Sequence, residues 1–146
     1  MKRSFVPAGI FVLVLVLAAV TMKIYVKYEY QSAMEQLDRV EAVFSVREDK
    51  TENWYGLSDP EIQVALAGFL QDALALDKSV NGDPKPMPSE GGSYGVNGAG
   101  GVTLLVSAAD PTICYIRGRI FTHYLTGGEA VVTYLSQLTE SLAAKL

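Results

Sequence analysis

The chain has 146 residues, a net charge of −4 and 49% hydrophobic residues, with one cysteine and one histidine. It is about one domain long, too short for a multidomain enzyme and too acidic for a nucleic-acid binder. A lone Cys114 excludes an intramolecular disulfide and a thiolate metal cluster, and a lone His123 excludes a zinc site built on several imidazoles.

The apolar excess is concentrated near the N-terminus. Phe5 to Met22 reads FVPAGIFVLVLVLAAVTM without a charge, and as a helix it extends roughly 27 Å, enough to cross a bilayer. Phe5, Ile10, Val14, Leu17 and Met22 mark this expected membrane anchor. Lys2, Arg3 and the free amine precede it, so the N-terminus is expected in the cytoplasm. A cleaved secretory signal is the rival reading; the uncleaved anchor is preferred because a helical pattern runs straight on beyond Met22. With Lys2 and Arg3 set aside, the chain past Met22 carries net −6, a balance that repels nucleic acid and anionic lipid as a whole.

From Lys23 to Arg47 there is no Gly or Pro, and Val26, Tyr30, Ala33, Leu37, Val40 and Phe44 alternate by four and three. That spacing predicts a helical stalk over 23–47, with Val26, Tyr30, Leu37, Val40 and Phe44 as a seam. The seam faces either a partner helix or the chain's own domain. Val46 to Gly56 reads as a polar loop ending in Trp54-Tyr55. A second helix follows, with Ser58 and Glu61 spaced as a capping box, Pro60 in the first turn, and Ile62, Ala65, Leu66, Phe69, Ala73 and Leu74 as its apolar face.

Residues 77–101 read as a connector. Pro84, Pro86 and Pro88 would each interrupt a hydrogen-bonded ladder, and six of the eleven residues from Gly91 to Gly101 are glycine. The glycines lack the Lys-Ser or Lys-Thr pair and the preceding strand of a phosphate loop. Val102 to Ser107 is a β-branched, apolar strand candidate. Thr112 to Leu125 fits either helix or strand, and interior Gly118 tilts it to strand. Glu129 to Leu146 closes the chain as an amphipathic helix on Val131, Tyr134, Leu135, Leu138 and Leu142.

Chemistry is sparse. Cys114 and His123 are nine residues apart, which places them about 30 Å apart in a strand and about 13 Å in a helix, too far to pair locally. Cys114 reads as a buried small residue and His123 as a partly exposed polar one. Glu48 to Glu52 lacks the alternating oxygens and central glycine of a calcium loop. Arg117 and Arg119, with Tyr115 nearby, read as exposed cations on an edge. Trp54, Tyr55 and Tyr94 beside loops are the residues that would form an aromatic ligand pocket, if one exists.

The apolar helix running on amphipathically, the Trp54-Tyr55-Gly56-Leu57 loop, the second helix, the glycine-rich connector and the small strand region together resemble the layout of type IVb pilins and their minor relatives. Lys2, Arg3 and Gly9-Ile10 match the family's short basic leader ending in glycine. The match departs where the family has glutamate and this chain has Val14, where paired cysteines are reduced to Cys114, and where Lys23 closes the apolar stretch. The outline is also similar to the single-pass inner-membrane accessory subunits of type IV pilus and type II secretion machines.

The resemblance implies a bacterial inner-membrane protein with its domain periplasmic or extracellular. It would act without enzymatic activity or cofactor, through protein partners in a homo- or hetero-oligomer. Cleavage after Gly9 distinguishes the pilin-like alternative, and a membrane-tethered ligand-binding or sensor domain is the other. The expected fold is α+β: 1–22 cytoplasmic tip and anchor, 23–47 stalk, and 48–146 a small domain with a short antiparallel sheet and flanking helices.

Overall fold

The computed structural model describes the backbone of residues 2–146 and the side chains of residues 8–146. Its architecture is α+β, with one long apolar helix followed by a seven-stranded antiparallel sheet and two further helices.

Helix α1 (Lys2–Gln36) runs unbroken for 35 residues. One stretch within Ala8–Gln36 has a mean hydropathy of 2.4, so the helix is long and apolar enough to cross a membrane. Ile10, Val14, Leu17 and Met22 are each more than half exposed, touching no part of the domain. The side chain of Phe5, the remaining anchor residue, lies outside the described residues. The last turns of α1 are amphipathic, and Ala33 and Met34 enter the core.

The expected helix through Arg47 ends at Gln36 instead. Leu37 to Arg39 forms a tight turn and β1 (Val40–Val46) follows. The sequence VEAVFSV is β-branched and aromatic, which costs little in a pleated strand and loses side-chain freedom in a helix. A bulge between Val40 and Ala42 lets Val40 and Val43, three apart, both reach the core, and three-residue spacing is what imitates a helix in sequence.

The segment read as a polar loop folds back as β2 (Glu52–Gly56), the edge strand of a β1–β2 hairpin. Helix α2 (Pro60–Ala73) is capped by Asp59, whose carboxylate accepts from the Glu61 amide at 2.9 Å, with Pro60 at the first position. The cap is thus one residue later than Ser58. Leu66 and Leu70 are fully buried, whereas Ala65 is exposed.

The expected connector over 77–101 is largely strand. β3 (Ala75–Asn81) forms the far edge, and β4 (Ser93–Gly98) runs through the middle of the sheet. A short 3-10 turn leads to β5 (Thr103–Ser107) as expected; β6 (Cys114–Arg117) and β7 (Phe121–Thr126) make the ambiguous segment a hairpin turning at Gly118. Helix α3 (Gly128–Ala144) closes the fold.

Sheet order is β2-β1-β4-β5-β6-β7-β3, all antiparallel. One face carries Val43, Val96, Leu104, Ile116 and His123 in cross-strand register and is covered by the end of α1, α2 and α3. The other carries Phe44, Leu105, Tyr115 and Tyr124. The proline-rich segment 82–92 crosses this second face as a strap from β3 to β4, held by the Lys85 amide donating to the Tyr124 hydroxyl at 2.7 Å. Proline suits a strap, which needs no ladder hydrogen bonds.

Candidate functional site

Two features of the described residues carry unusual chemistry. The first is a buried polar chain on the helix-covered face. Glu29 of α1 is only 8% exposed. Its carboxylate accepts from the backbone amides of Ile120 (3.2 Å) and Phe121 (3.1 Å) in the β6–β7 turn and meets His123 Nε2 at 2.8 Å. On the far side of the imidazole, Nδ1 lies 2.7 Å from the Ser79 hydroxyl of β3. Gly118 is obligatory here, because a Cβ would collide with the Glu29 carboxylate.

Burial alone would raise the pKa of Glu29, but the Phe121 amide, His123, the Ile120 amide and Tyr25 together outweigh it and hold the carboxyl below its ordinary value. An ionised carboxylate only accepts, so His123 carries a proton on Nε2, while Nδ1 and the Ser79 hydroxyl share the second hydrogen bond.

Serine, histidine and acid in line are the parts of a nucleophilic relay. The access such a relay needs is missing: His123 has no exposed surface and packs beside Tyr30 with ring centroids 5.9 Å apart. The arrangement instead fastens α1 to two strands. His123 is therefore sealed in the core, not partly exposed, because its position on β7 lies under α1, with Glu29 and Tyr30 against the ring. The sequence offers one His and several helical Glu residues, and nothing in their spacing announces that Glu29 and His123, 94 positions apart, come together.

The second feature lies on the opposite face. Phe44 and Trp54 stack with centroids 4.2 Å apart and planes at 21°. They sit across a non-hydrogen-bonded pair of the β1–β2 ladder, where cross-strand side chains come closest. Gly95 of β4 makes room for the Phe44 ring, since any Cβ would strike it. With Leu105, Met87 and Pro88 these rings line a largely apolar recess of about 450 Å³, rimmed by Arg47 and Lys50. Trp54 remains 52% exposed, its indole nitrogen donating to Glu52 at 3.2 Å.

β2 is an open edge. The Arg47 amide bonds the Thr51 carbonyl and the Leu57 amide bonds the Glu41 carbonyl, so within β2 the odd-numbered residues face β1. The backbone groups of Glu52, Trp54 and Gly56 consequently point away from the sheet.

The expected seam does not survive as one helical face. Val26 and Tyr30 are half-buried on α1, Leu37 and Val40 are buried in the core, and Phe44 belongs to the far side of the sheet. The expected aromatic trio is likewise divided: Trp54 lines the recess, while Tyr55 and Tyr94 pack against the helix-side core. Arg117 is tied to the Gly82 carbonyl at 2.7 Å and lies 3.7 Å from Asp83.

Cys114 is fully buried, and burial pushes its thiol up to about 12. Among the described residues no group of three His, Cys, Asp or Glu side chains is placed to hold a metal ion. No family model matches the chain, and no curated protein or solved structure matches it either.

Proposed function

We propose that the protein is a single-pass, membrane-anchored association module. Its apolar helix is the anchor, and its domain binds an extended segment of a partner protein along β2 without catalysing a reaction. The observation that carries this is the exposed Trp54 at an open strand edge. Backbone donors and acceptors at Glu52, Trp54 and Gly56 supply the pairing groups for an added strand, and the adjoining recess takes a side chain from it. Arg47, Lys50 and Glu52 at the recess offer charge of both signs, which suits a polar flank on the bound segment. An apolar helix exposed from Ala8 to Met22, and fastened at Glu29 to the sheet, supports an anchor joined stiffly to its domain.

Photo-crosslinking in native membranes tests the reading. A crosslinker at position 54 is expected to give a discrete adduct absent with the crosslinker at exposed Val64 on α2. Equal adducts at both positions would overturn it.

Membership of a type IV pilus or secretion assembly in the bacterial inner membrane, with the domain outside the cytoplasm, is the narrower form of this proposal. It rests on chain organisation. The intact mass and N-terminal residue of the protein from its native membrane divide its two versions: a start at Ile10 makes it a processed pilin-like subunit, and a start at Met1 makes it a permanent anchor. A start beyond Met22 would instead make the apolar helix a removed signal and end the anchor reading.

A further inference from the structure

The β6–β7 turn is held against α1 near the end of the apolar segment. Glu29 lies seven residues past Met22, about 10 Å along the helix, and Tyr25 lies about 4.5 Å past it. Phe121 packs on Tyr25 with ring centroids 6.2 Å apart, so the hairpin tip is fixed at the level of Tyr25 to Glu29. A bilayer adds a headgroup layer of roughly 5–8 Å beyond its hydrocarbon on each side. The tip and Tyr25 thus fall at headgroup height if Met22 marks the hydrocarbon boundary.

A cleft of about 620 Å³ starts there and runs along α1 toward Gln36, its membrane-proximal end lined by Tyr25, Tyr28, Glu29, Arg117 and Arg119. Arg117 is spent on the Gly82 carbonyl, Thr122 and Asp83. Arg119 is exposed and forms no hydrogen bond or ion pair with any described residue. Lys23 and Lys27 are exposed on the far side of the same stretch of α1, where they charge the surface around the helix without lining the cleft, and the carboxylate that does line it, Glu29, is already satisfied by the turn and His123. Ile24 and Tyr28, at 65% and 68%, and Ile120, at 46%, are exposed among these cations. Cations interleaved with exposed tyrosine and isoleucine suit an interface between water and hydrocarbon.

We infer that this cleft seats the headgroup of an anionic phospholipid, with Arg119 meeting its phosphate and Lys23 and Lys27 adding charge at the surface. The inference rests on the anchor reading above. The domain's net negative charge does not oppose it, because headgroup attraction decays within a Debye length of about 8 Å, and what counts is the local patch.

The test uses the full chain in detergent micelles doped with phosphatidylglycerol or phosphatidylcholine, with retained lipid counted by native mass spectrometry. Preferential retention of phosphatidylglycerol is expected. It should fall about fivefold in Arg119→Ala, the effect of one basic residue at an anionic surface, and persist in Arg39→Ala, past the far end of α1. Millimolar inorganic phosphate should not displace the lipid. Equal retention of the two lipids, an unchanged Arg119→Ala, or displacement by phosphate would each overturn the inference. A mature chain starting beyond Met22 defeats the anchor reading itself, whereas a chain that keeps residues 10–22 and shows no lipid preference defeats only the headgroup site.

Discussion

Glu29 and His123, 94 positions apart, meet at 2.8 Å inside the domain, and the same carboxylate binds two amides of the β6–β7 turn. One side chain therefore joins the long helix to the sheet. Removing it in Glu29→Ala strands two amides and the imidazole Nε2–H, a loss expected to cost about 3 kcal/mol. Urea unfolding of wild type and variant checks this. Glu29→Gln, which keeps an acceptor, should fall between them, and a variant as stable as wild type would show that the contact contributes nothing.

The same carboxylate sets an acid limit. Its pKa is lowered in the folded state from an ordinary value of 4.5, so the folded protein binds this proton more weakly than the unfolded chain. The stabilisation is present above that ordinary value and is lost as pH falls through the folded one. Amide exchange at Ile120 and Phe121, followed as pH is lowered, should accelerate first in wild type. In Glu29→Gln it should be faster throughout and lack that acid limb.

Cys114 tests burial from the other direction. With its thiol pushed up to about 12, the folded form keeps its proton where the unfolded thiol, ordinarily near 9, has lost it. Its contribution to stability is therefore full below pH 9 and declines as pH rises from there toward 12. At neutral pH iodoacetamide should leave the folded chain unlabelled and label it once urea unfolds it. Rapid labelling without urea would mean that β6 opens readily. The same burial, 0% exposed, bars Cys114 from an intermolecular disulfide while the sheet is intact.

Local pattern recovered the elements whose signals do not depend on distant partners. The apolar run, the proline-started α2, the β-branched β5 and amphipathic α3 each follow from spacing and capping alone. Four strands were hidden for separate reasons. The Val40–Phe44 spacing imitates a heptad, although the bulge after Val40 leaves the two residues on opposite faces of the sheet; β2 and β3 are edge strands whose exposed, polar residues look like loop. β4 is rich in glycine, which suits a turn by propensity yet here lets another strand's aromatic ring lie flat on the sheet. The site was hidden more deeply. Glu29, Ser79 and His123 come from a helix, an edge strand and a hairpin, so only the closed topology assembles them. Trp54 is recognisable as a contact residue, but the spacing of its partner Phe44 reads as helix seam.

Gly95 is where that tertiary override can be measured. Any side chain there meets the Phe44 ring, which is itself stacked on Trp54 and has little freedom to retreat. Gly→Ala in a strand ordinarily helps by limiting the unfolded chain, by about 0.4–1 kcal/mol. Gly95→Ala should reverse that sign and destabilise by about 1–3 kcal/mol, the usual cost of overpacking. Trp54 is the only tryptophan in the chain, so its emission reports the stack directly. The spectrum should shift in Gly95→Ala as Phe44 is displaced, and the double variant Phe44→Ala, Gly95→Ala should recover part of the stability lost in Gly95→Ala relative to Phe44→Ala alone. A stabilised Gly95→Ala with unaltered emission would mean that the ring does not rest on this glycine and that the recess is not shaped by it.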